Sequence, residues 1–122
     1  MAEDLGTLVR GRRILVVEDE FFIAEELRDA FEDVGAMVVG PVATVDAALA
    51  VVRSVEPLDG ATLDMTLGKE RSYEVARALL GRGVPLVILS GYDERGLPED
   101  LRRIPRCEKP FDIRKIVKAL YP

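Results

Sequence analysis

The chain has no histidine, one cysteine and no apolar run of membrane-spanning length. Without histidine, His-based catalysis is excluded and most zinc sites go with it. With Cys107 alone, no internal disulfide can form, and a lone thiol fits a reducing cytosol. A transmembrane helix needs about 20 apolar residues in succession, which this chain does not offer. Met1 to Gly11 is mixed and acidic and lacks a signal peptide's apolar core. The expectation is therefore a cytoplasmic protein with no membrane contact. A net charge of −5 argues against nucleic acid as a direct partner. Repeats, linkers and low-complexity segments are also missing.

What remains is 122 residues, 48% of them hydrophobic, which is enough for one domain with a genuine core. Residues 1–11 read as a loose N-terminal lead-in with one helical turn at Leu5, Leu8 and Val9, and residues 12–122 as the domain. A first strand covers about Arg13 to Val17, and its unbroken apolar run implies burial on both faces. A helix follows from Phe21 to Val34, stopped at Gly35. Ala36 to Val42 is a second strand. Thr44 caps a helix carrying Val45, Ala48, Leu49 and Val52. Ala61 to Asp64 is a third strand, followed by a loop with Gly68. Ser72 caps a helix with Val75, Ala76, Leu79 and Leu80 inward. Leu86 to Leu89 is a fourth strand. Gly91 to Pro105 leaves room for only a short helix. A brief strand at about Arg106 to Glu108 and an Asp112-capped helix end the chain. This alternation implies right-handed crossovers and a parallel α/β sheet.

In such sheets, ligands bind outside the carboxyl ends of the strands. There the first strand delivers Glu18-Asp19-Glu20, the third Asp64, the fourth Ser90 and the last Lys109. Carboxylates brought together repel unless a cation intervenes, and hard oxygen ligands with room for water suit Mg2+. A dinucleotide fold or a P-loop needs glycines after the first strand to cradle phosphate, and this chain has acids there. A haloacid-dehalogenase-type phosphatase needs Asp-x-Asp-x-Thr, whereas Asp64-Met65-Thr66-Leu67 lacks the second acid. The surviving chemistry is phosphorylation of Asp64, a carboxylate nucleophile, with charge neutralised by Mg2+ on Asp19 and Asp64 and by Lys109.

From about Arg12 to Leu120 the chain resembles bacterial response-regulator receiver domains. The match is carried by Glu18-Asp19, Asp64, Ser90 and Lys109-Pro110-Phe111 in order and spacing. The resemblance implies a flavodoxin-like, doubly wound five-stranded parallel sheet, strand order 2-1-3-4-5. It implies Asp64 as phosphoacceptor, with Asp19 on Mg2+ directly, Glu18 mainly through water, and the backbone carbonyl of Thr66 as a further ligand. Ser90 and Lys109 would hold the phosphoryl group, and the Lys109-Pro110 bond would be cis. The phosphate would come from a histidine kinase or a histidine phosphotransfer protein. Such a domain is no enzyme in its own right and acts through protein contacts. Pro85, Gly91 and Tyr92 also match a stand-alone receiver subfamily with Pro-Phe-x-Phe-Ala-Thr-Gly-Tyr and a reduced fourth helix, from which Leu86, Ile88 and Leu89 depart. Two alternatives stay open: a phosphate-independent interaction module of the same fold, and a receiver segment of a hybrid histidine kinase.

Taken singly, each residue has a duller reading. Glu20 is first-turn charge, Ser90 a strand-end hydroxyl, Phe111 packing, Cys107 a small buried strand residue, and Arg114, Lys115 and Lys118 a solvated helix face. Receivers usually carry an aromatic residue three positions before the last-strand lysine; here that position is Arg106. Tyr92, two residues after Ser90, is the nearest aromatic substitute, and it is the switch candidate. Phosphorylation of Asp64 should then change amide hydrogen exchange across Gly91 to Pro105, and Tyr92→Ala should abolish the change. Unaltered exchange, or a change that survives the substitution, sinks this relay.

Overall fold

Five parallel strands form the spine of the protein, and residues 5–91 and 96–122 are described by the computed structural model. They are β1 (Arg13–Val17), β2 (Met37–Val42), β3 (Gly60–Asp64), β6 (Leu86–Ser90) and β7 (Arg106–Glu108). Their order is β2-β1-β3-β6-β7, the expected 2-1-3-4-5 once a small separate hairpin is set aside. That hairpin pairs β4 (Thr66–Leu67) with β5 (Glu70–Arg71), turning at Gly68, whose φ is +62°. It occupies the segment expected to be a loop, since two-residue strands carry no periodicity to detect.

The central strands are buried on both faces, and their alternation sorts side chains into two cores. Leu15, Val17, Ala61, Leu63, Leu86 and Ile88 face one layer; Ile14, Val16, Val87 and Leu89 face the other. The first layer holds α3 (Val45–Ser54) and α4 (Tyr73–Gly81), with Leu97, Leu101 and Ile104 closing its end. The second holds α1 (Leu5–Val9), α2 (Phe21–Asp33) and α5 (Ile113–Leu120). Helices on both faces make the sheet doubly wound. The stretch expected to be a loose lead-in is packed: Val9 is fully buried and Leu5 nearly so, in the core that also holds Phe31 and Ile116.

Local signals account for most boundaries. Thr44 Oγ1 accepts from Ala47 N–H, and Asp112 Oδ1 accepts from Arg114 N–H, so both cap as expected. Gly35, at φ +96°, ends the turn after α2. Ser72 precedes α4, but its hydroxyl donates to the Met65 carbonyl and leaves the helix without a side-chain cap. Leu80, expected inward, is 43% exposed, because only Val75, Ala76 and Leu79 lie on the buried stripe of α4. Cys107 is half-buried, as a residue on an edge strand can be. Between β6 and β7 the helical turn among the described residues is a 3-10 turn, Glu99–Leu101. The Lys109-Pro110 bond is cis, as are Gly40-Pro41 and Glu56-Pro57.

The C-terminal end is tied back to β3. Tyr121 donates its hydroxyl proton to the Asp59 carbonyl, and the Arg12 guanidinium stacks 4.1 Å from the centre of its ring. Gly60 lies beneath that hydroxyl: a Cβ there would stand 2.7 Å from Tyr121 Oη and 3.0 Å from Ile14 Cδ1. Gly60→Ala should therefore cost about 1–3 kcal/mol of stability, read from denaturant unfolding. The cost should shrink in a Tyr121→Phe background, where the clashing oxygen is gone. Equal costs in both backgrounds would show that the Tyr121 hydroxyl is not what excludes a side chain at Gly60.

Candidate functional site

Parallel strands end at one edge, and that geometry assembles the site. Asp64 is the last residue of β3 and Ser90 the last of β6. Glu18 and Asp19 follow β1, and Lys109 follows β7. Backbone bonds fix the register at this edge: Glu18 N–H donates to the Val42 carbonyl, Met65 N–H to Leu89, and Lys109 N–H to Ser90, each at 2.9 Å.

One carboxylate oxygen each from Glu18, Asp19 and Asp64 lie within 4.8 Å of one another. Lys109 Nζ sits 2.9 Å from Asp64 Oδ2, within hydrogen-bonding geometry, and 3.1 Å from Glu18 Oε1 as an ion pair. Glu18 and Asp64 are buried, whereas Asp19 is exposed. Asp19 Oδ2 accepts from Gly68 N–H at 2.7 Å, which ties the hairpin loop to the acid turn. Glu20 turns away: its carboxylate accepts from Ile23 N–H and caps α2, a more specific role than first-turn charge.

The electrostatics follow from burial. Glu18 is pushed from 4.5 up to about 8, by desolvation first and then by the neighbouring Asp64, with Lys109 opposing. Burial pulls the Lys109 ammonium down, but the carboxylates of Asp64 and Glu18 outweigh it and leave Lys109 above its ordinary value. Glu18 Oε1 is buried and accepts no hydrogen bond, one of two such side-chain atoms among the described residues, with Thr62 Oγ1. A buried oxygen whose one partner is the Lys109 ammonium, beside two further carboxylates, all of them hard donors, fits a divalent cation.

Ser90 is buried, and its Oγ accepts from Arg106 Nη2 at 3.2 Å. Thr66 stands two residues past Asp64 in β4, with Oγ1 accepting from Arg71 at 2.7 Å. Tyr92 lies outside the described residues. Sequence reasoning singles out Arg106 for the ring it lacks and misses its contact with Ser90. It also misses Gly68 as a partner of Asp19. Neither contact leaves a signal in local periodicity, since each depends on how separate strands and loops align.

Among family models none matches this chain. Among solved structures, SdrG from Sphingomonas melonis Fr1 is 38% identical, with 92% of this chain and 98% of that one covered and a TM-score of 0.80. A BeF3-activated conformation of SdrG, from Pseudomonas melonis Fr1, is likewise 38% identical, covering 90% and 96% at a TM-score of 0.76. A response regulator receiver protein from Sinorhizobium medicae WSM419 shares the fold at 21% identity and a TM-score of 0.74, over 90% of this chain and 91% of that one. Among curated proteins, the transcriptional regulatory protein PdtaR of Mycobacterium tuberculosis is 25% identical over 113 residues, 89% of this chain and 55% of that protein. The chain spans about half the length of the curated relatives it matches.

Glu18 makes the metal-free site sensitive to pH. Between 4.5 and about 8 the folded protein keeps a proton that the unfolded chain releases, so stability falls as pH rises through that window. The melting temperature of metal-free protein should drop from pH 5 to pH 8, by about the few degrees that 1 kcal/mol moves a domain of this size. Glu18→Gln, which cannot ionise, should flatten the dependence. An identical slope in the variant would place the titration elsewhere.

Proposed function

Because the chain belongs to the response-regulator receiver family, as its likeness to SdrG over nearly the whole of both chains establishes, we propose that it accepts a phosphoryl group on Asp64 and signals in that form. The observation that carries this reading is the pairing of Lys109 Nζ with Asp64 Oδ2 at 2.9 Å, beside two further carboxylates. Asp64 is buried enough to be shielded, stands at a sheet edge a donor can reach, and is held in one orientation by a cation. Attack on phosphorus calls for positioning and charge neutralisation more than for covalent help. Lys109 supplies one charge and Ser90 a hydroxyl at the end of the adjoining strand.

In this reading Glu18, Asp19 and Asp64, with the Thr66 carbonyl, hold Mg2+. When bound, Mg2+ neutralises charge on the oxygens that gather around phosphorus. Glu18 Oε1, which accepts no hydrogen bond, and Asp19, exposed at the rim, divide the metal site into a buried and a solvated side. The donor is a histidine kinase or a histidine phosphotransfer protein, and the cytoplasm is where such a donor would be met. The domain, from about residue 12 to 122 with α1 packed onto it, acts through protein contacts and not through turnover of a free substrate. No helix among the described residues is long and apolar enough to cross a membrane.

Incubation with Mg2+ and a small phosphodonor, followed by intact mass, tests the proposal. One added phosphate is expected, lost in Asp64→Asn. Asp19→Asn should weaken Mg2+ binding by about tenfold or more, because few protein ligands hold such a site. Absence of label on the wild type under conditions that label a control receiver would leave a phosphate-independent module of the same fold as the better account.

A further inference from the structure

Ser90 is 1% exposed, and Arg106 reaches its hydroxyl from the edge strand. Register explains the reach. Arg106 stands opposite Ile88, two residues before Ser90, and residues two apart on a strand share a face. A long side chain leaning along β7 then meets Ser90 Oγ at the carboxyl edge. Glu108 stands directly opposite Ser90, yet the contact with the hydroxyl is made by Arg106.

The chemistry of the two groups constrains where the hydroxyl proton can point. A guanidinium only donates, whereas a serine hydroxyl carries one proton and two lone pairs. With Arg106 donating to the oxygen, the hydroxyl proton has to point away from the guanidinium. A cation on the oxygen also polarises the O–H bond and makes it a stronger donor. The buried Ser90 hydroxyl is thus held as a donor, at the end of the strand beside the one that ends in Asp64.

We propose that Arg106 is a positioning residue for phosphoryl transfer, acting through Ser90; this rests on the reading of Asp64 as phosphoacceptor. In that transfer an Asp64 oxygen forms a bond to phosphorus, the donor's bond to phosphorus breaks, and the donor group leaves with the electron pair. Lys109 remains on the Asp64 side. The Ser90 hydroxyl, oriented by Arg106, donates to a non-bridging phosphoryl oxygen. Arg106 itself touches neither phosphate nor metal in this scheme. It fixes the direction of one proton and adds a positive charge behind it.

Arg106→Met, which keeps length and removes the donor, should slow labelling by a small phosphodonor about fivefold, the size of one modest hydrogen bond. It should weaken binding of beryllium fluoride, a phosphoryl mimic that needs no donor, by a similar factor. Mg2+ affinity should stay at the wild-type value and the melting temperature should fall only by the few degrees that one lost hydrogen bond costs, whereas a merely structural role would leave labelling and beryllium fluoride binding at wild-type values. Arg106→Lys should recover most of the loss, and adding Arg106→Met to Ser90→Ala should change nothing further. Wild-type labelling in Arg106→Met, or a full fivefold loss that persists in the Ser90→Ala background, overturns the inference while leaving Asp64 as phosphoacceptor. Failure of the wild type to label or to bind beryllium fluoride removes the functional reading and this inference together.

Discussion

Three carboxylates held at one edge of a sheet, two of them buried, are the constraint around which the molecule is arranged. Lys109 offsets one charge, so with all groups ionised the cluster keeps three negatives against one positive. In a partly desolvated pocket that surplus is costly, and Glu18 answers by holding its proton far above the usual carboxylate range. The surrounding fold has to supply stability that the site does not. It does so with two cores pressed against a sheet whose inner strands are apolar on both faces, so that the acids appear only where the strands leave the core. The same repulsion makes the pocket receptive to a divalent cation. The site is unfavourable when left to its own charges.

Topology, more than any local contact, gathers these residues. β1, β3, β6 and β7 run parallel, so residues 18, 64, 90 and 109 share an edge although the chain separates them widely. The hairpin after β3 adds a second fastening, since Gly68 N–H binds Asp19 and so couples the two loops that frame the pocket. A residue at Gly68 with a side chain would meet no steric block, but its φ of +62° favours glycine. A backbone donor placed there can therefore orient the exposed acid without bringing a competing charge. That leaves Asp19 its second oxygen.

Much of this architecture is legible in the residues alone. Ile14 to Val17 and Leu86 to Leu89 are unbroken apolar runs, and such runs announce strands with helices on both sides. The strand-end acids and Lys109 then follow from sheet order alone. Legibility fails where a residue has two physically reasonable partners. Ser72 has the chemistry of a cap, but the Met65 carbonyl lies close enough to take its proton. Leu80 fits a helical stripe, but nine residues of α4 bury only a narrow one, and Leu80 falls at its margin. The N-terminal turn looks peripheral because five residues carry little pattern, although Val9 is sealed in the core that α2 and α5 share. Arg106 is visible as an absence, the missing ring, while its bond to Ser90 depends on β6–β7 register, which no single segment encodes.

A charged residue at that position differs in kind from a ring. An aromatic side chain reports on a strand by where its apolar surface is buried, so its response is a matter of packing. Arg106 is held by a directional bond from a cation to a hydroxyl, while its strand lies at the exposed edge of the sheet. Its coupling to the pocket is electrostatic at close range and is lost within a Debye length in solvent. Such a link transmits the orientation of one hydroxyl faithfully but moves little surface. If Arg106 acts through Ser90 as proposed, a larger rearrangement on phosphorylation would have to come from the segment after Ser90, where Leu97, Leu101 and Ile104 close the end of one core. On the proposed reading, the Ser90 contact and the packing of that segment would be separable parts of one response: the first would set how firmly a phosphoryl group is held, and the second what a partner protein could detect.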